Sequence, residues 1–170
     1  MNSMSIQYYD TEIGKLILGS FEGRLCLVDF CHRRMRNTVD ERIQRALDAE
    51  FVEQDSEVLQ EARKQIDQYL EGERKEFDIP IMMVGTDFQK QVWRELLKVK
   101  YGETASYLDV AKRINNEKAV RAVASANGAN AISLMIPCHR IIESDGGLGG
   151  YGGGLRVKKR LLRIESENAR

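Results

Sequence analysis

The sequence predicts an α+β protein of two units, an amino-terminal small antiparallel sheet with helices and a carboxy-terminal, mostly helical half containing a helix-turn-helix. Three observations predict it: glycine-punctuated apolar runs near the start, charged segments with apolar residues four apart, and a change in charge at Gly85. Residues 1–85 hold 11 Lys and Arg against 17 Asp and Glu, and residues 86–170 hold 15 against 9, so a formal charge of zero conceals halves of −6 and +6. A basic half suits an anionic partner such as nucleic acid, although uneven solvated faces with no partner explain the composition equally well.

In the first half, residues 5–9, 15–20 and 24–30 read as strands of a meander, with Gly14, Gly19 and Gly23 marking the turns. Residues 40–50 and 56–70 read as amphipathic helices, the second with Val58, Ala62, Ile66 and Leu70 on one stripe. In the second half, Thr86-Asp87-Phe88-Gln89 fits a capping box ahead of an apolar stripe of Phe88, Val92 and Leu96. Trp93 belongs with that core, with base stacking as its lesser alternative. Ser106 can cap a second helix to about Ile114, Asn115-Asn116 makes a turn, and residues 117–126 form a third helix.

These two short helices are a candidate helix-turn-helix. Ala119, Ala122, Ala124, Ser125 and Ala126 are small and Arg121 is a long cation near the helix start. Small side chains allow close approach to a groove, and equally serve tight helix packing. Residues 131–136 form a short apolar, strand-like run that delivers Cys138, and a glycine-dense loop follows at 146–154. The last helix, residues 155–165, should turn Leu155, Leu161, Leu162 and Ile164 inward and Arg156, Lys158, Lys159, Arg160 and Arg163 outward.

Composition excludes several classes. With 170 residues, 42% of them hydrophobic and 31% charged, the chain can fill one sizeable core or two small ones. No stretch approaches the roughly 20 apolar residues of a membrane span, and the start lacks a signal peptide, so a cytoplasmic protein is expected, nuclear in a eukaryote. Cys26, Cys31 and Cys138 form neither a paired disulfide framework nor a repeated metal pattern.

Cys138 carries the candidate chemistry. Thiolate is the attacking species, and a free thiol with a pKa of about 8.5 is largely protonated at neutral pH. Cys138 is flanked by Pro137, which restrains the backbone, and by His139-Arg140, which offer an imidazole and a positive field. A buried structural cysteine beside surface charges is the alternative, since neighbours on a strand point to opposite sides.

The run Ile136-Pro137-Cys138-His139-Arg140, followed by Gly149-Gly150-Tyr151-Gly152-Gly153-Gly154-Leu155 and preceded by Ser106-Tyr107 and Arg121-Ala122-Val123, closely resembles the O6-alkylguanine-DNA alkyltransferases, the methylated-DNA–protein-cysteine methyltransferases. The likeness runs from about Phe88 to Glu165, and the first half is similar in pattern to the ribonuclease-H-like domain of that family. The resemblance implies units at 1–85 and 86–170 and a single-turnover suicide protein that flips O6-alkylguanine, or O4-alkylthymine, out of DNA and moves its alkyl group to Cys138. It implies that His139 draws the thiol proton through a water, that Glu165 orients His139, that Asn130 braces the turn and that Tyr107 donates a proton to the guanine.

It further implies that Arg121 fills the gap left in the base stack and that Asn116, Arg140, Ser144 and Tyr151 line the DNA surface or base pocket. The implied partner is double-stranded DNA bearing the lesion, met by a monomer with no cofactor, no metal and no membrane. Gly152 departs from the serine that often follows the pocket tyrosine, which removes one hydrogen bond to the base. Some members hold zinc in this half, but on a strand Cys26 shares a face with Val28, Phe30 and His32 while Cys31 faces away, so core packing suits Cys26 better.

Two other readings compete. A non-catalytic lesion binder would lack the reactive cysteine, and a transcription regulator would need more base-edge donors than an alanine-rich helix provides.

Overall fold

The computed structural model describes residues 1–169 and divides the chain into two compact units, Met1–Gly85 and Thr86–Arg170. In the first, β1 (Asn2–Thr11), β2 (Gly14–Phe21) and β3 (Arg24–Phe30) form the antiparallel meander. Alternation along β1 sends Met4 and Ile6 into the core, as period-two geometry requires. Gly19, expected at a turn, lies inside β2, where a Cβ would come within 2.1 Å of Met4 Cε and 3.1 Å of Leu27 Cβ, so the methionine tip would have to move to admit one.

Two further features depart from the sequence reading. The first helix, α1 (Arg36–Leu47), starts earlier and stops where Asp48 turns left-handed at φ 47°. Residues Ala49–Glu53, of which only the first two fall within the expected helix, form β4, which pairs parallel to β1 and gives the order β3-β2-β1-β4. Five residues with partial alternation are too short to reveal a strand whose hydrogen bonds all go to a partner distant in sequence. Helix α2 (Glu57–Leu70) is capped by the Ser56 hydroxyl, which accepts from the Leu59 amide at 3.2 Å, and buries Leu59, Ala62, Ile66 and Tyr69. The free edge of β3 is covered where Leu25 exchanges backbone bonds of 2.9 Å with Pro80 and Met82.

The second unit is mostly helical. Both expected caps are present as reciprocal capping boxes, Thr86 with Gln89 at the start of α3 (Asp87–Leu96) and Ser106 with Asp109 at the start of α4 (Tyr107–Arg113). Trp93 is buried and donates from Nε1 to the Ala126 carbonyl at 2.8 Å, which makes it core. The segment read as one helix from Glu117 begins as a 3-10 turn, Glu117–Ala119, and continues as α5 (Val120–Gly128).

Residues 131–136 do not form a strand. They fold into tight turns: Leu134 sits at φ 73°, and the Met135 amide reaches back to the Ser133 carbonyl at 2.9 Å. A two-residue parallel ladder, β5 (Ala105–Ser106) with β6 (Ile141–Ile142), then leads to the glycine loop and α6 (Leu155–Asn168). Among the described residues no helix is long and apolar enough to cross a membrane.

Candidate active site

The turns before Cys138 replace the strand with a sharper device. Pro137 at φ −81° and ψ 63° lets the Cys138 amide donate to the Ile136 carbonyl at 2.8 Å, an inverse γ-turn, and Cys138–Arg140 then form one 3-10 turn. Asn130 braces this approach at both ends: its Nδ2 donates to the Ile136 carbonyl at 2.9 Å and its Oδ1 accepts from the Ile132 amide at 3.0 Å. Asn127 adds a second brace, Nδ2 donating to the Cys138 carbonyl at 3.4 Å.

In the 3-10 turn His139 and Arg140 both point inward, toward α6. His139 Nε2 lies 2.6 Å from Glu165 Oε2, and Arg140 grips the same carboxylate with Nε at 2.7 Å and Nη2 at 3.1 Å. Burial works against the Glu165 carboxylate, but the hydrogen bonds and charge of His139 and Arg140 outweigh it and hold its pKa at about 2. Burial lowers the His139 pKa against the pull of Glu165, so the ring is neutral at pH 7. With Nε2–H given to the carboxylate, Nδ1 carries the lone pair and is the basic nitrogen of the ring.

Arg140 was expected on the DNA side. It is buried instead, with Nη1 also donating to the Val99 carbonyl at 2.7 Å, because a carboxylate inside the protein needs a charged partner. Tyr107, at the first turn of α4, is half-buried; burial first, then the charges of Cys138 and Glu143, raise its phenol above the ordinary value and keep it protonated. The Tyr151 ring meets His139 edge-on at 6.5 Å between centroids. Arg121, Ala122 and Ser125 form an exposed face of α5, opposite the buried Val123 and Ala126. Asn116 and Ser144 are exposed, and Ser144 borders a cavity of about 330 Å³ with Thr104, Ser106 and Asp109.

Lys158 was expected outside with the other cations of α6, while Leu155 was expected inside. The placements are reversed: Lys158 is 0% exposed and Leu155 49%. The Lys158 ammonium donates to the carbonyls of Ile141 at 2.6 Å, Leu148, and Gly150 at 3.2 Å. Lys158, Leu161 and Glu165 fall on one helical stripe at i, i+3 and i+7, a spacing that could have revealed the inward lysine had Glu165 been used to set the phase. Leu155, the first residue of the helix, is exposed.

The other cysteines offer no comparable chemistry. Burial pushes the Cys26 thiol up to about 12, with its sulfur 3.7 Å from Met4 Sδ, and burial also raises Cys31.

Comparison with known proteins gives a consistent result. Residues 87–167 match the family described as 6-O-methylguanine DNA methyltransferase, DNA binding domain, and residues 4–83 match its ribonuclease-like domain. The chain is 39% identical to a methylated-DNA–protein-cysteine methyltransferase of Methanosarcina barkeri, over 96% of this chain and 99% of that one. A Haemophilus influenzae protein of the same name is also 39% identical, over 97% and 88%. The structure of Mycobacterium tuberculosis OGT in complex with DNA superposes with a TM-score of 0.82 at 35% identity, covering 96% of this chain and 94% of that one. Both units and the cysteine-bearing turn are thus included in the likeness, and the chain belongs to the methylated-DNA–protein-cysteine methyltransferase family.

Proposed function

We propose that the protein repairs DNA by direct reversal, moving the alkyl group of O6-alkylguanine to Cys138 once and irreversibly, with O4-alkylthymine as a second candidate substrate. The observation that supports this most directly is the turn that places Cys138 next to a buried His139–Glu165 pair at 2.6 Å. The thiol proton passes through a water to His139 Nδ1, and Glu165 orients the ring and stabilises the imidazolium. Sulfur then attacks the alkyl carbon in line; the S–C bond forms, the C–O6 bond breaks and its electron pair goes to the purine. Tyr107 gives the purine its proton, and solvent later takes the proton from His139 and restores that of Tyr107. A thioether has no leaving group for water to displace, so each molecule acts once.

The target atom is buried in the base stack, so the nucleotide must first be flipped, which costs a few kcal/mol and less for a poorly paired base. Helix α4, the turn at Asn115-Asn116 and α5 act as a helix-turn-helix, and the small exposed face of α5 brings Arg121 to the gap in the stack. Asn116, Ser144 and Tyr151 contact DNA or line the pocket, whereas Arg140 serves as counter-ion to Glu165. Residues 1–85 act as the ribonuclease-H-like domain and residues 86–170 as the DNA-binding and acceptor domain. The protein acts as a monomer in the cytoplasm.

Incubation with an oligonucleotide containing O6-methylguanine should add one methyl group to the peptide holding Cys138, with one equivalent consumed per protein. An unmodified peptide under conditions where the DNA is bound would overturn the reading. For Arg121→Ala, transfer from a paired lesion is expected to fall about tenfold to hundredfold while reaction with the free alkylated base is unchanged, because only the paired substrate has a flipping cost to offset. Equal losses on the two substrates would contradict the finger role.

A further inference from the structure

An ammonium taken out of water must recover its hydration from protein acceptors, and a lysine has three N–H groups to satisfy. Lys158 satisfies them with three carbonyls, one from Ile141 in β6 and two from Leu148 and Gly150 in the glycine loop. Gly149, between the latter two, is left-handed at φ 70°, a conformation a side chain would strain, and this backbone turn brings both flanking carbonyls onto one cation.

The loop so held does not face empty space. A Cβ at Gly149 would lie 2.7 Å from Tyr107 Oη and 3.0 Å from Cε2, so the loop backbone rests on the phenol itself. The third carbonyl belongs to Ile141, which pairs with Ala105 in β5, two residues before Tyr107. One ammonium therefore ties the loop that abuts the Tyr107 ring to the ladder that leads into its helix.

We propose that Lys158 is a positioning residue for Tyr107: its ammonium fastens the loop at 148–150 against the phenol and so fixes where the phenol proton points. The proposal rests on the reading of Tyr107 as proton donor. Replacing Lys158 by methionine keeps the length of the stem and removes all three N–H groups. The loop carbonyls then turn to water, and Gly149 withdraws from the ring.

The test is a double-mutant cycle in single-turnover transfer from a duplex containing O6-methylguanine. Lys158→Met is expected to slow the first-order step at saturating DNA about tenfold, with the half-saturating DNA concentration within about twofold of the parent, since misplacing a donor affects the reaction more than the binding. On a Tyr107→Phe background the same substitution should cost no more than about twofold, because the group it positions is already gone. Losses that simply multiply would overturn the proposal.

Because a buried lysine can be needed for folding, a second measurement uses the unsubstituted protein. Backbone NMR order parameters at 148–150 should be near about 0.85, as in rigid structure, and values below about 0.6 would show a loop that is not held. Full-rate transfer by Tyr107→Phe would overturn the donor reading, whereas the order parameters do not depend on that chemistry and decide the fastening alone.

Discussion

Cys138→Ala is expected to transfer no alkyl group at all while binding lesion-containing duplex with a Kd within about twofold of the parent. The loss should be complete because no other thiol can substitute. Cys26 is sealed in the first unit with its pKa pushed up to about 12, and Cys31 is also raised by burial. A weakly ionised thiol is a poor nucleophile, and neither lies on the turn that carries His139. Removing one sulfur from a packed site costs on the order of 1 kcal/mol, small against a typical total of about 5–15 kcal/mol, so the variant remains folded. Mass spectrometry after incubation with the methylated oligonucleotide, with a mobility-shift titration beside it, separates the two effects. Methyl mass on any residue of the variant would disprove the assignment of the acceptor.

Glu165→Ala should have the largest effect on stability. The carboxylate receives His139, two nitrogens of Arg140 and the Gly102 amide at 3.3 Å, all inside the second unit. Its removal leaves a guanidinium buried without its counter-charge, a situation that costs about 3–5 kcal/mol. The urea midpoint should fall accordingly with little change in slope, and transfer should fall with it because His139 loses the group that sets its tautomer. An unfolding free energy within about 0.5 kcal/mol of the parent would mean that the network adds nothing to stability.

Acid should act on the same network. Glu165 is lowered from 4.5 to about 2, so its contribution is complete above pH 4.5 and lost as pH falls toward 2. His139 is lowered from 6.5 by burial of the neutral ring, so its contribution is present above 6.5 and also lost on acidification. Thermal midpoints should be flat just above neutrality and fall below pH 6.5, with Glu165 adding its own stage below pH 4.5. In Glu165→Ala the stage below pH 4.5 should be weaker, and an unchanged acid profile in that variant would argue against the assignment.

The sequence by itself determined what has local causes. The three strands with their turns at Gly14 and Gly23, the caps at Thr86 and Ser106, and Cys138 as the candidate nucleophile depend on residues close together in the chain, so period and turn chemistry make them legible. Tertiary structure decided what depends on partners far away. Strand β4 exists because β1 lies beside it; Arg140 turns inward because Glu165, 25 residues on, is buried and charged; Lys158 is enclosed because three carbonyls from two other segments converge on it. A charged residue is assigned to the surface by default because isolated burial is so costly, and that default fails when the fold supplies the compensating dipole or counter-charge, which only the assembled chain contains.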